Sequence, residues 1–301
     1  MSPIFPLPLV FSTPKALLLA SIASLLAFQK NRIAIVQGRV YENYTGLKRN
    51  VFQVLDKIAF SCANKVIFVS NSVKEICLKE KLLKSDKCIL LGEGSFNGVD
   101  TKKFFPINVE TNDVLREKYN ISKEDFLICI VGRVCEDKGI LELKKIIQSV
   151  ISNDIKFLLV GSIEDNISLE TVNELQQKTN FIYWPFTSEV HEVFQMSNLH
   201  LFLSHREGFG NVAIEAAACG IPTFAYDIVG VKDSVKNDVS GKHFNFKQID
   251  SIILEIDNLK NAVNQPYSKC ALWAKENFKQ EKVWNNYLNM YLNIIENRSE
   301  L

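Results

Sequence analysis

The 301-residue sequence lacks a charge of one sign: 35 lysines and arginines stand against 34 aspartates and glutamates, for a balance of +1. A sequence-independent nucleic-acid binder draws its affinity from neutralising phosphates, and this balance argues against that class. Cysteine is scarce and scattered: seven residues, at 62, 77, 88, 129, 135, 219 and 270, with no Cys-x-x-Cys pair. A disulfide framework and a zinc site are both disfavoured, and a reducing cytoplasm fits. The four histidines, at 191, 200, 205 and 243, show no metal-ligand spacing. Long apolar runs are missing as well. The stretch from Ala16 to Phe28 has thirteen residues, too few to cross a hydrocarbon core of ~30 Å as a helix. Lys15 and small residues give it a faint likeness to a secretory signal, but Pro3, Pro6 and Pro8 come first and no basic segment does. What is present is 47% hydrophobic and 23% charged, a globular composition that excludes a disordered or collagen-like chain. The length holds one large or two medium domains.

Short β-branched runs alternate with helical segments. A buried strand is expected over Leu7 to Ser12, then a buried helix opening at Thr13-Pro14, with threonine at the N-cap and proline at the first helical position. Ile33–Gln37, Val66–Ser70 and Cys88–Leu91 read as strands, with helices over Gly46–Ala63 and Ser72–Leu83 between them. This βαβα order predicts an α/β fold with a parallel sheet. The charged stretch from Thr101 to Lys123, with Pro106, reads as a linker. A second series follows: strands Phe126–Val131, Lys156–Val160, Phe181–Trp184, Leu199–Leu203 and Thr223–Tyr226, with helices Gly139–Ile151, Leu169–Lys178, Ser188–Met196 and Val212–Cys219. Five strands with four crossovers make a doubly wound domain. The last helix, Glu281 to Ile295, carries Trp284, Tyr287, Leu288, Tyr291 and Ile295 on one expected buried stripe.

Two segments carry chemistry. The first runs from Ser204 through His-Arg-Glu-Gly-Phe-Gly-Asn to Pro222. It follows a strand, bends through Gly208 and Gly210, and opens a helix near Asn211. A helix N-terminus offers free N–H groups and about half a positive charge, which suits an anion such as phosphate. Glu207 and Glu215 stand eight apart and can bond vicinal hydroxyls; the plainer reading is that both merely favour the helix dipole. The second segment is Val131-Gly-Arg-Val-Cys-Glu-Asp-Lys-Gly139. Gly132 ends a strand, and Arg133 and Lys138 can converge on a diphosphate; the plainer reading is solvated loop charge. Both segments are expected at the carboxyl edge of one sheet, opening on one cleft. Cys135 has no base nearby in sequence to make it a nucleophile.

Together these segments resemble the donor domain of the nucleotide-sugar glycosyltransferases of family 4, with the GT-B fold of two Rossmann-like domains. The resemblance rests on Glu207-x7-Glu215, on Gly132-Arg-x4-Lys-Gly139, on Gly241 in the Ser-Gly-Lys segment, and upstream on Thr13-Pro-Lys15, Gly38 through Gly46, Ser70-Asn-Ser72 and Gly94-Ser-Phe-Asn-Gly-Val-Asp100. The upstream motifs look like members that build capsule, O-antigen or other surface polysaccharides. The resemblance implies a retaining enzyme that moves a sugar from a nucleotide-diphospho-sugar, UDP-linked by preference, to a lipid-linked saccharide. It implies no metal cofactor. The site would lie on the cytoplasmic side, with peripheral contact to the inner face of the membrane. Arg133 and Lys138 would bind the diphosphate, with Gly132 beside them. Glu207 would meet the transferred sugar, aided by the N–H groups of Phe209, Gly210 and Asn211. Glu215 would bond the ribose, and the nucleobase would lie near Trp184 and Phe186. The implied domains are 1–107 on the acceptor side, completed by a return helix at 280–301, and 124–279 for the donor.

Two departures stand out. The first domain is short, so its opening units are expected to be absent and its sheet to expose apolar edges. Gln37-Gly38 replaces the His-Gly of the family pattern, and glutamine does not titrate near neutral pH. Both suggest a truncated, split or inactive member, and a companion chain that supplies the missing N-terminal units.

Overall fold

The protein is described by a computed structural model covering residues 7–150, 152, 154–263 and 266–296. Pro3, Pro6, the expected helix end at Ile151 and the last five residues of the expected return helix lie outside the described residues. Two compact units emerge. The first holds the chain up to Gly98, Arg206–Phe209 and the chain from Gln280; the second holds Val99–His205 and Gly210–Lys279.

The first unit opens with strand β1 (Leu9–Phe11), helix α1 (Pro14–Leu26), β2 (Arg32–Val36), α2 (Gly46–Cys62), β3 (Lys65–Phe68), α3 (Asn71–Lys79) and β4 (Cys88–Leu90). The strands are parallel, in the order β1-β2-β3-β4. Ile33 to Val36 and Val66 to Phe68 are at most 1% exposed, as continuous apolar strands of a parallel sheet must be. β1 differs from the buried strand expected. It pairs with β2 alone among the described strands, and Leu9 and Val10 are 42% and 39% exposed. Leu9 and Val10 thus face out at a sheet edge, while Phe11 is buried at 4% exposure. Helix α1 starts where Thr13-Pro14 predicts, but the Thr13 hydroxyl makes no capping hydrogen bond; the fixed φ of Pro14 sets the start. Nor is α1 buried throughout. Leu17, Ser21 and Ser24 face inward, whereas Leu19 and Leu26 are exposed.

The second unit runs through α4 (Val109–Lys118), β5 (Phe126–Val131), α5 (Ile140–Ser149), β6 (Ile155–Val160), α6 (Asn166–Leu175), β7 (Phe181–Trp184), α7 (Val190–Met196), β8 (Leu199–Phe202), α8 (Asn211–Ala218), β9 (Thr223–Tyr226), α9 (Val231–Ser234), β10 (Gly241–Phe244), α10 (Ile249–Lys260) and α11 (Cys270–Phe278). The expected linker is corrected here, because it contains α4. Asn108 caps that helix by accepting from the Thr111 N–H at 2.9 Å. Arg116, only 4% exposed, points inward and donates to the carbonyls of Met196 at 2.9 Å and Asp125 at 2.8 Å. A buried arginine satisfied by carbonyls takes the place of an apolar anchor, so no apolar period marks the helix. Among the described residues the sheet has six strands rather than five, all parallel, in the order β10-β9-β8-β5-β6-β7. The chain winds outward in both directions from the β5–β8 pair. Loops leaving the carboxyl ends of those two strands therefore flank a topological switch point, where open α/β sheets bind ligands.

Helix α12 (Gln280–Ile295) belongs to the first unit. Its buried residues are Val283, Tyr287 and Met290, while Trp284 and Leu288 are each 53% exposed. The expected stripe was thus rotated about one residue from the true one, the 283-287-290 set with helical spacing. Tyr287 meets the Phe96 ring edge-on at 5.2 Å.

Candidate functional site

In the second unit, the loop after β5 carries Gly132, Arg133 and Lys138. Neighbouring β6 brings its own following turn alongside: the Val134 N–H donates to the Ser162 carbonyl at 2.8 Å and the Glu164 N–H to the Val134 carbonyl at 3.0 Å. That turn places Glu164 against Arg133, with Nη1 to Oε2 at 2.6 Å. The two side chains are 58% and 41% exposed. Such a pair contributes only ~0–1 kcal/mol, so an anionic ligand displaces it at little cost. Lys138 ends a short 3₁₀ turn, and Gly139 follows at φ +79°. A Cβ on Gly139 would lie 2.4 Å from the Leu203 carbonyl oxygen. Only glycine lets this loop close down on the end of β8.

The loop after β8 is stitched to the same place. The His205 N–H donates to the Asp137 carbonyl at 2.8 Å, and His205 Nε2 lies 3.2 Å from Glu142 Oε2. Gly210, at φ +89°, is the N-cap of α8, which begins at Asn211. Arg133, Lys138 and the first N–H groups of α8 thus flank one switch point, an arrangement suited to a diphosphate. Glu215 lies one turn inside α8 and is half-buried. Burial pushes its carboxyl up to about 7, opposed by Lys103. The Trp184 ring packs on Tyr119 at 4.8 Å, and the Phe186 ring is 76% exposed. Cys135 is a thiol whose pKa burial pushes up, against any nucleophilic use. His200 sits within β8, its Nδ1 3.1 Å from Thr223 Oγ1, and burial pushes its pKa down to about 3; it is a neutral core residue.

Glu207 falls in the other unit, since Arg206 to Phe209 make their compact cluster there. Gln37 is exposed at the end of β2. Gly38 follows, and the turn packs on Gly208: a Cβ on Gly208 would sit 1.8 Å from the Gln37 carbonyl oxygen. Arg206 Nη1 donates to the Val40 carbonyl at 2.7 Å. Phe209 is buried, at 4% exposure. Gln37 and Glu207 are therefore neighbours through backbone contact. The roles of Glu164, Glu142 and Lys103 also went unforeseen. Each arises from neighbours far apart in sequence, and no local spacing marks them. Among the described residues no cluster of three or more His, Cys, Asp or Glu side chains is placed to hold a metal ion, and no helix is long and apolar enough to cross a membrane.

The family model for glycosyl transferases group 1 matches residues 111–275. The capsular polysaccharide biosynthesis glycosyltransferase CapM of Staphylococcus aureus is 32% identical over 287 residues, 93% of this chain and 74% of that protein. The N,N'-diacetylbacillosaminyl-diphospho-undecaprenol alpha-1,3-N-acetylgalactosaminyltransferase of Campylobacter jejuni is 27% identical, over 83% of this chain and 66% of that protein. The UDP-Gal:alpha-D-GlcNAc-diphosphoundecaprenol alpha-1,3-galactosyltransferase of Escherichia coli is 24% identical, over 82% of this chain and 65% of that one. The chain thus spans about two thirds of these last two relatives. Among solved structures, sucrose-phosphate synthase from Thermosynechococcus elongatus superposes with a TM-score of 0.81 at 19% identity, over 97% of this chain and 74% of that chain.

Proposed function

The chain belongs to the glycosyl transferases group 1 and is a glycosyltransferase of the GT-B fold, related to capsular and O-antigen-type enzymes, and from that premise we propose that it moves a sugar, with retention, from a nucleotide-diphospho-sugar to a lipid-linked saccharide. The observation that carries the donor class is the switch point, where Arg133, Lys138 and the N-terminus of α8 offer cations and N–H groups together. They bind the diphosphate and stabilise the charge it gains when the sugar's anomeric bond breaks and its electron pair leaves with the phosphate. The acceptor hydroxyl forms the new bond, and its proton leaves with the nucleoside diphosphate. No metal is required, because the basic pair and the helix end neutralise the diphosphate. Glu207 meets the transferred sugar, with the N–H groups of Phe209, Gly210 and Asn211. Glu215 bonds the ribose, and Gly132 lets the phosphates approach. The nucleobase lies near Trp184 and Phe186, and UDP is the preferred nucleotide, as the name of the Escherichia coli relative supports. The implied division of labour is 1–107 with 280–301 for the acceptor and 124–279 for the donor.

The acceptor's lipid brings the enzyme to the cytoplasmic face of a membrane. Exposed Leu19, Leu26 and Phe28 and, on α2, Leu47, Val51, Val54 and Ile58 support peripheral contact. Exposed Lys15, Lys30, Lys48 and Lys57 accompany them, and no carboxylate from residue 7 to residue 63 is exposed. Apolar and basic side chains together suit an anionic lipid surface.

A second reading is favoured by β1, whose outer edge has no pairing strand among the described residues: the chain binds the donor but needs a companion chain, pairing at that edge, for catalysis. Nucleotide release from a panel of UDP- and GDP-sugars, with and without membrane lipid extract, separates the two. Release that rises with lipid for one donor supports transfer by this chain alone. Donor binding without release from any donor supports the second reading, and neither binding nor release removes both.

A further inference from the structure

Glu207 is gripped on both sides within the first unit. On one side Gly208 packs on Gln37-Gly38; a Cβ on Gly38 would lie 3.1 Å from the Gly208 Cα. On the other, Arg206 donates to the Val40 carbonyl at 2.7 Å. Both contacts land on one short turn, Gln37 to Val40. The residue between them, Arg39, is buried in the body of the unit, with its side chain 1% exposed. Its Nη2 meets Glu80 Oε2 at 2.6 Å, its Nε lies 3.4 Å from Glu42 Oε2, and its guanidinium stands over the Tyr41 ring at 4.6 Å. Glu80, just past α3, also takes Arg49 Nη2 at 2.5 Å. Tyr41 in turn donates to Asp56 on α2.

This network is an expensive way to hold a loop. Arg39 Nη1 is buried without a hydrogen-bond partner, and a buried ion cluster is often no more stabilising than apolar groups of the same shape. What it supplies is a single arrangement, because charge pairs in a fixed fork geometry tolerate few alternatives. The turn it fixes is the one against which both neighbours of Glu207 rest.

We propose that Arg39, clamped by Glu80, is a positioning residue for sugar transfer: it sets the Gln37–Val40 turn and through it the Arg206–Phe209 loop that carries Glu207, without touching donor or acceptor. The inference rests on the reading of Glu207 as the residue that meets the transferred sugar. The bland alternative is that the cluster only holds α3 against the sheet.

Hydrogen exchange on the full chain without substrate decides between them. In Glu80→Gln, and in Arg39→Lys, which keeps the positive charge should the first variant fold poorly, amides of residues 206–210 exchange at least tenfold faster than in the parent, while those of α5 and α10 are unchanged. Acceleration confined to residues 39–49 and 76–82 overturns the proposal. In turnover, Glu80→Gln lowers kcat at least fivefold with the donor KM within twofold. Adding Arg206→Ala costs no more than the larger single effect, since both act on one turn. Fully multiplied losses overturn it. Glu207→Gln is run beside these. Unchanged turnover in that variant removes the role given to Glu207, while the exchange data still decide what Arg39 does to the loop.

Discussion

His205 and Glu142 join the loop after β8 to the first turn of α5, Nε2 to Oε2 at 3.2 Å, with the Glu142 side chain 7% exposed. Lys247 approaches the other oxygen at 3.6 Å. The pair locks together the two loops that flank the switch point, so it bears on both stability and donor binding.

Burial raises the Glu142 pKa, but the neighbouring His205 and Lys247 outweigh it and leave the group below its ordinary 4.5. A depressed carboxylate contributes stability above its unfolded pKa and loses it as pH falls through the folded value. Glu142→Gln should therefore lower the urea midpoint at pH 7 and flatten the acid loss below pH 4.5. Denaturation at a series of pH values checks this; an unchanged acid limb refutes it.

Glu215 acts with the opposite sign. Its carboxyl is raised from 4.5 to about 7 by burial, so the folded state holds the proton longer than the unfolded one. Its contribution makes the protein less stable as pH rises from 4.5 to 7. Glu215→Gln should abolish that component. Ribose hydroxyls bonded to the carboxylate favour its charged form, so UDP binding near pH 6.5 should release protons. Calorimetry in buffers of different ionisation heat should detect the release in the parent and not in the variant.

Gly208→Ala places a methyl 1.8 Å from the Gln37 carbonyl oxygen, a backbone atom that cannot swing aside. A destabilisation of about 1–3 kcal/mol is expected, as for overpacking elsewhere, together with at least tenfold lower turnover. Wild-type turnover at an unchanged melting midpoint would show that the contact carries no weight.

Glu207→Gln and Arg133→Ala should each lower turnover at least tenfold. Arg133→Ala should also raise the UDP dissociation constant, since it removes a diphosphate contact, whereas Glu207→Gln should leave UDP affinity nearly unchanged. Equal loss of UDP affinity in both would contradict the separate roles.

Much of the fold was legible locally. Phe126–Val131, Phe181–Trp184 and Thr223–Tyr226 are strands from end to end as their apolar, β-branched and aromatic runs predict. β10 escaped notice because Gly-Lys-His-Phe has neither alternation nor β-branching, and pairing with β9 alone makes it a strand. α4 was hidden by its charge, since its buried anchor is Arg116. The motif residues Arg133, Lys138 and Asn211 do flank one switch point. The pairing of Arg133 with Glu164, and of His205 with Asp137 and Glu142, lay beyond sequence reasoning, because these contacts arise only once β5, β6 and β8 are laid side by side.

The sequence by itself determined where most helices and strands lie, α4 and β10 aside, and which family the chain joins. Periodicity and glycine spacing act over a few residues, and they survive in the linear order. Strand order was decided only by tertiary structure. The parallel pairing of β5 with β8 carries two distant loops to one sheet edge, and the close approach of Gly208 to Gln37 brings Glu207 to the end of β2 in the first unit. Such contacts depend on backbone packing between segments more than 160 residues apart, and no local preference encodes them.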